Sequence, residues 1–265
     1  MGQTGHTSQP GSGFAAGLSP QRALEPPPLL TSRSALFLDF DGTLADIAPR
    51  PDAVAVVQEL PQVLERLCRR LGGAAALLTG RRLCDVDGYL SLTLPGAGLH
   101  GAELRLEPDK EPRLQWRPDT NARVAQLRQR FAADPRVVVE DKGAAVALHY
   151  RQAPERAREC CEAMDELFRG PDFEIMLGSM VVEARPRGAN KGRALQMFMV
   201  QAPFSGRVPV VVGDDITDED GFEAAALLGG HGVKVGTGPT HALYRCLSVA
   251  EVHDWLAASL KELDA

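Results

Sequence analysis

Aromatic side chains are scarce: nine Phe, three Tyr and two Trp make up 5% of the 265 residues. No basic run and no interleaving of basic with aromatic residues accompanies them, which excludes the stacking platforms and phosphate-tracking stripes of a nucleic-acid binder. Positive charge is in deficit too, with 29 Lys and Arg against 35 Asp and Glu, and a net charge of −6 repels polyanions. No apolar stretch approaches the roughly 18 residues needed to cross a bilayer, so no membrane partner is expected. Cysteine is sparse and odd in number: Cys68, Cys84, Cys160, Cys161 and Cys246 contain no Cys-x-x-Cys pair. Neither a disulfide framework nor a thiolate metal site is signalled. Cys68, Cys160 and Cys161 lie in helix-like stretches and are read as small buried hydrophobes. Such usage fits a reducing cytosol and a cytoplasmic protein. What remains is an ordinary globular composition, 44% hydrophobic and 24% charged, long enough for one large domain or two. A monomer is the expectation.

Gly, Ser and Pro crowd residues 1–32, including Pro26-Pro27-Pro28. With neither a charged start nor an apolar core, this segment is read as a flexible tail rather than a secretory leader.

The remainder is organised around Ser34-Ala35-Leu36-Phe37-Leu38-Asp39-Phe40-Asp41-Gly42-Thr43-Leu44. A short apolar run followed at once by turn chemistry predicts a strand buried on both faces of a parallel sheet. Side chains two apart on a strand share a face. Asp39 and Asp41 therefore share one small space past the strand's carboxyl end, where open α/β sheets bind ligands. Carboxylates that close repel unless a cation lies between them, which gives a magnesium site with one carboxylate left to act as a nucleophile. A plain Asp-Gly turn after an edge strand is the alternative.

Apolar residues from Val54 to Leu71 recur at a helical period, predicting a helix over 51–71. A second buried strand, 74–78, ends in Thr79-Gly80-Arg81. A hydroxyl and backbone N–H groups placed there can hold a phosphate oxygen, although for Thr-Gly-Arg taken alone a simple strand-to-helix turn is the better reading. A third strand is predicted around 98–103, where His100 either faces the pocket or is structural.

From about residue 117 the order becomes helix, hairpin, helix, hairpin: 119–131, then 136–151 around Asp141-Lys142-Gly143, then 154–168, then 173–185 around Gly178-Ser179. That is the order of a small open-faced sheet with helices on one side. Strand–helix signals flank it on both sides, so it reads as an insertion, placed where a lid would sit. Beyond it, Asn190 caps a helix whose first turn carries Lys191, a cation that disfavours the helix dipole. A last core strand, 208–212, ends in Gly213-Asp214-Asp215-Ile216-Thr217-Asp218-Glu219-Asp220. An acidic helix start explains Asp218 to Asp220; Asp214 and Asp215, between a buried strand and the helix, ask for a metal. A strand at 233–235 and a helix at 249–263 complete the sheet.

These segments, in this order, resemble the haloacid-dehalogenase-type phosphatases. Within that superfamily the blocks His100-Gly101-Ala102-Glu103, Glu140-Asp141-Lys142-Gly143, Val182-Glu183-Ala184-Arg185-Pro186, Asn190-Lys191-Gly192 and 213–220 are similar to the trehalose-6-phosphate phosphatase family. The resemblance covers Ser34 to the end of the chain. It implies an α/β fold: a Rossmann-like parallel-sheet core, 33–116 with 186–265, and an inserted, smaller α+β cap over 117–185. It also implies a magnesium-dependent phosphoric monoester hydrolase that releases trehalose and phosphate from trehalose 6-phosphate, a small sugar phosphate, through an aspartyl phosphate. Asp39 would be the nucleophile and Asp41 the acid–base group; Thr79 and Lys191 would bind the phosphoryl oxygens. Asp39, the Asp41 carbonyl and Asp214 would hold Mg2+, with Asp218 in support or as a further ligand. Lys142 and Glu183, then Glu140, would grip the sugar, with His100 and Arg81 as further substrate contacts. A capped phosphatase for sucrose phosphate, mannosylglycerate phosphate or a hexose phosphate differs only in the cap. An inactive sugar-phosphate-binding regulatory module would have lost Asp39 or Asp41, and both are present.

Overall fold

The apolar run before Asp39 forms strand β1 (Ser34–Leu38), every residue of which is buried. The computed structural model describes residues 25–48, 53–116 and 118–265; residues 1–24 of the expected tail, and the first residues of the helix expected from 51, lie outside that description. Continuing along the chain come β2 (Ala75–Leu78), β3 (Gly96–Gly98), β4 (Glu103–Arg105) and β5 (Arg113–Leu114). Next follow β6 (Val138–Asp141), β7 (Val146–His149), β8 (Phe173–Gly178) and β9 (Val181–Pro186). The last strands are β10 (Val208–Gly213), β11 (His231–Val235) and β12 (Tyr244–Cys246).

Eight of these build one sheet in the order β12-β11-β10-β1-β2-β3-β4-β5. The pairs from β12 through β3 are parallel, and only the β3–β4 and β4–β5 pairs at one end are antiparallel. Successive strands step away from β1 to one side, whereas the chain returns through β10 on the other side. The strand order thus reverses between β1 and β10, and the crevice outside their carboxyl ends is where such sheets take ligands. Helices α1 (Leu60–Arg70), α2 (Leu83–Leu90), α5 (Lys191–Met199), α6 (Glu219–Leu227) and α7 (Val249–Asp264) cover this sheet. Their apolar stripes join β1, β2, β10 and β11 in one continuous core.

The other four strands form a separate antiparallel sheet, β6-β7-β9-β8, covered by α3 (Asn121–Arg130) and α4 (Ala157–Phe168). Val124, Leu127, Cys160, Met164 and Phe168 pack there against Val146, Leu148, Val182 and Ala184. Strand alternation then sends Glu140, His149 and Glu183 to the opposite, helix-free face, since Glu140 pairs with Ala147 and Ala147 with Glu183.

Two expectations shift. The helix over 51–71 is shorter: α1 starts at Leu60 with Pro61 in its first turn, the one helical position that tolerates a missing N–H. Val57, assigned to its apolar face, is 49% exposed. The strand over 98–103 is broken: β3 ends at Gly98, Leu99–Gly101 forms a single 3-10 turn, and β4 starts at Glu103. Among the described residues no helix is long and apolar enough to cross a membrane.

Candidate active site

Asp39 follows β1 directly, and its N–H still donates to the Val212 carbonyl of β10 at 3.0 Å. The ladder therefore carries Asp39 up beside the end of β10, where Asp214 begins. Carboxylate oxygens of Asp39, Asp214 and Asp218 all lie within 4.8 Å of one another. Gly42 makes this approach possible: a Cβ there would stand 2.1 Å from Asp214 Oδ2.

Into this cluster α5 delivers Lys191. Its helix is capped by the Asn190 side chain, which accepts from the Arg193 N–H at 2.7 Å. Lys191 Nζ donates to Asp39 Oδ1 at 2.8 Å and Asp218 Oδ1 at 2.6 Å, with the residue only 2% exposed. Burial alone would lower its pKa; the attraction of Asp218 and Asp39 outweighs that and holds it above the ordinary lysine value. One ammonium cannot serve three carboxylates. Burial, opposed by Lys191 and reinforced by Asp218 and Asp214, raises Asp39 well above the usual carboxylate range. Burial and then Asp218 push Asp214 up to about 7. An all-oxygen set with surplus negative charge suits a hard divalent cation.

The carboxylate of Asp41, expected to serve as the acid–base group while its main-chain carbonyl meets the metal, is not part of this cluster. Arg81 holds it with paired bonds, Nε to Oδ2 at 2.6 Å and Nη2 to Oδ1 at 2.8 Å, while its guanidinium lies over Phe40 and Tyr89. Arg81, expected to contact substrate, is thus engaged by the neighbouring acid. Thr79, at the end of β2, is fully buried, and its hydroxyl accepts the Arg81 N–H at 3.1 Å. Asp218 stands in the acidic cluster, where the resemblance put it in support or as a further ligand, whereas Asp215 departs from its sequence reading. Asp215 caps the 3-10 turn Ile216–Asp218 through reciprocal bonds with Asp218, and that extra turn rotates Asp218 inward to Lys191. Asp215 therefore needs no metal to explain it, and Asp218 is more than a helix-start acid.

The helix-free face of the smaller sheet lies opposite. Lys142 Nζ donates to Glu183 Oε2 at 2.7 Å and to the Gly80 carbonyl at 3.2 Å, so this side chain ties the two sheets together. Burial works against its charge, but Glu183 and Glu140 outweigh that and raise its pKa. Glu140 lies 2.7 Å from His149 Nε2. His149 was missed in the sequence; counting alternate residues along β7 from Ala147 would have put it on this face. The Thr43 hydroxyl was missed as well. It is fully buried beside Gly42 and has no partner among the described residues. Arg151 adds a second tie to the core through the Ala48 carbonyl at 3.3 Å.

His100 sits in the broken strand. Leu99, His100 and Gly101 have φ of 52°, 55° and 106°, and left-handed backbone costs about 1–3 kcal/mol at each non-glycine position. The His100 ring lies against Gly80, where a Cβ would come within 2.5 Å of Nε2. Burial, then Lys191, Lys142 and Arg185, keep its pKa well below the ordinary histidine value, so it is neutral. These groups enclose a cavity of about 530 Å³ with Asp39, Asp41, Lys191 and Asp214 at one end and Glu140 and Glu183 at the other. That volume lies within the roughly 300–1,000 Å³ of small-molecule sites.

The chain whose mostly parallel sheet carries this acidic, lysine-bearing edge, faced by a second smaller sheet, is a phosphoric monoester hydrolase. Within that class the chain belongs to the trehalose-phosphatase family, whose sequence profile matches residues 37–245. It is 48% identical over 205 residues to a protein of Sinorhizobium fredii named "Probable trehalose-phosphate phosphatase", covering 76% of this chain and 77% of that one. It is 42% identical over 233 residues to the trehalose-6-phosphate phosphatase of Escherichia coli, covering 86% and 87%. Among solved structures, the C-terminal domain of the C. albicans trehalose-6-phosphate phosphatase superposes with a TM-score of 0.77 over 87% of this chain and 93% of that one. At 20% identity that match speaks for the fold alone.

Proposed function

We propose that this protein hydrolyses trehalose 6-phosphate to trehalose and phosphate, with Asp39 carrying the phosphoryl group between two steps. The observation behind the reading is the convergence of Asp39, Lys191, Asp214 and Asp218 on one end of a cavity whose other end presents Lys142 and Glu183. In the first step an Asp39 carboxylate oxygen bonds to phosphorus, the phosphorus–sugar oxygen bond breaks, and Asp41 gives the leaving oxygen its proton. In the second, Asp41 takes a proton from water as that water's oxygen attacks phosphorus and Asp39 departs. Asp41 must leave the paired bonds of Arg81 to do this. Lys191 neutralises Asp39 and the incoming phosphoryl oxygens, which a carboxylate nucleophile requires before it can approach a phosphate dianion. Thr79 would bind the same oxygens through its hydroxyl.

The residues present fit Mg2+: Asp39, Asp214 and the main-chain carbonyl of Asp41 would hold it, with Asp218 behind. Bound there, the ion would supply Lewis-acid neutralisation of phosphoryl charge. We assign residues 33–116 and 186–265 to the core and 117–185 to a cap whose Lys142, Glu183, Glu140 and His149 meet sugar hydroxyls. A lysine–glutamate pair offers donors and acceptors together, as a hydroxyl needs.

Phosphate release from trehalose 6-phosphate, sucrose 6-phosphate and glucose 6-phosphate, each with Mg2+ or chelator, tests the reading. Magnesium-dependent turnover favouring trehalose 6-phosphate is expected. Equal rates across the panel would overturn the sugar assignment, and full turnover in chelator the metal.

A further inference from the structure

Lys234 is the odd residue of β11. It is buried on an inner strand between Val233 and Val235, both of which belong to the core. Burying an ammonium is costly unless it is paired and hydrogen-bonded. Register places this one level with the site, because Lys234 pairs with Gly213, the last residue of β10 and the one before Asp214. From there Nζ donates to the Asp214 main-chain carbonyl. Its counter-charge is Glu219, in the first turn of α6. Glu219 Oε1 lies 4.0 Å from Nζ and is buried with no hydrogen-bond partner among the described residues.

Glu219 is fixed in its turn. Oε2 accepts the Thr240 hydroxyl at 3.1 Å and the His241 N–H at 2.8 Å, which ties α6 to the loop after β11. Arg245 holds the start of that loop through the Gly236 and Gly238 carbonyls. Helix, loop and strand therefore aim one ammonium at one carbonyl. Asp214 has need of such a hold. It lies between the end of β10 and the 3-10 turn capped by Asp215, yet its carboxylate must meet Asp39 and Asp218. Lys234 is not among the residues lining the cavity, so it can act on the chemistry only through Asp214.

We propose that Lys234 is a positioning residue for Asp214: by gripping the Asp214 main-chain carbonyl it fixes where the carboxylate points, and so how well the acidic cluster holds Mg2+. This rests on the metal reading above and deepens it, adding a residue that never touches the ion. Charge and position make opposite demands here. A lysine beside a divalent cation repels it, so removing Lys234 would on that ground alone tighten the metal. Losing the grip on Asp214 would loosen it. The two roles therefore differ in sign, and a lysine that merely fills its place in β11 would leave the metal affinity unchanged.

The test measures Mg2+ affinity without turnover, from the metal concentration at which Tm rises above its value in chelator. Wild type, Lys234→Met, Lys234→Arg and Asp214→Asn are compared. Lys234→Met is expected to weaken Mg2+ about 10- to 100-fold, the usual cost of losing a group that orients a metal ligand. Lys234→Arg keeps a charged donor and should recover part of that loss. Should Lys234→Met fail to fold because Glu219 is left buried and unpaired, the double variant Lys234→Met with Glu219→Gln removes both charges and is read in the same way. Unchanged or tighter Mg2+ binding in the methionine variant, single or double, would overturn the inference and leave the metal reading standing. A wild-type Tm that Mg2+ does not raise, or one raised equally in Asp214→Asn, would overturn the metal reading and the inference with it.

Discussion

Lys191→Met removes an ammonium of nearly the same length and leaves its partners in place. Lys191 is 2% exposed and meets Asp39 and Asp218 at 2.8 and 2.6 Å, while Asp214 stands within 4.8 Å of both acids. Taking one member from a buried ion pair costs about 3–5 kcal/mol, because the other charge stays buried and uncompensated. The acids can escape only by binding protons, at about 1.36 kcal/mol for each pKa unit of displacement. For a domain of this size about 2–4 °C is lost per kcal/mol, so a fall in Tm of about 6–20 °C is expected by calorimetry in chelator. Added Mg2+ at about 100 times its Kd should return roughly 2.7 kcal/mol to either form. The variant should gain at least as much as wild type, having more negative charge to neutralise. Turnover should drop about 10²–10³-fold, the usual loss of one preorganised charge stabiliser. A variant that melts within about 2 °C of wild type in chelator would show that Lys191 does not hold the buried acids together, and the account of the site would fail.

Asp39→Asn should abolish phosphate release while leaving Tm at or above that of wild type, because it removes a desolvated carboxylate; measurable turnover near wild type would refute the nucleophile. Lys142→Ala and Glu183→Ala should each lower kcat/KM for the disaccharide phosphate by about tenfold or more, as charged hydrogen bonds are worth about 1.5–3 kcal/mol, and change p-nitrophenyl phosphate turnover much less. Equal damage to both substrates would remove the cap from sugar recognition. In chelator, Asp214 has a folded pKa of about 7, raised from 3.8, so it contributes stability below its unfolded value that is lost as pH rises through about 7. The Tm of wild type minus that of Asp214→Asn should therefore fall between about pH 4 and 7; a difference that rises over that interval would contradict the shift.

The core was legible where the chain runs apolar and then stops on chemistry. β1 ends in Asp39, β2 in Thr79 and β10 in Asp214, and each strand is a buried run that needs no partner to be recognised. β12 was not legible: three residues, one of them Arg245, carry no pattern, and the strand exists because β11 offers it an edge. Nor could alternation reveal the break at His100, since left-handed φ at Leu99 and His100 contradicts the local preference of both residues and holds through their bonds to the neighbouring turn. Within the site, residue types were readable and their partners were not. Asp215 and Asp218 look alike in an acidic run; only the 3-10 turn between them decides which one caps and which one is buried.

That distinction runs through the whole pocket, because one turn touches each part of it. Thr79 follows β2, the Gly80 carbonyl receives Lys142 from the smaller sheet, and Arg81 grips Asp41. His100, packed on Gly80, donates its N–H back to the Thr79 carbonyl. Asp39 follows the buried ladder of β1 and β10, and Lys191 meets it from the start of α5. In the proposed reaction Asp41 would have to leave Arg81 to reach the leaving oxygen, and the same turn that carries Arg81 offers the Gly80 carbonyl to Lys142. The short turn after β2 thus joins the smaller sheet, through Lys142, to the Asp41 carboxylate, through Arg81, within three consecutive residues.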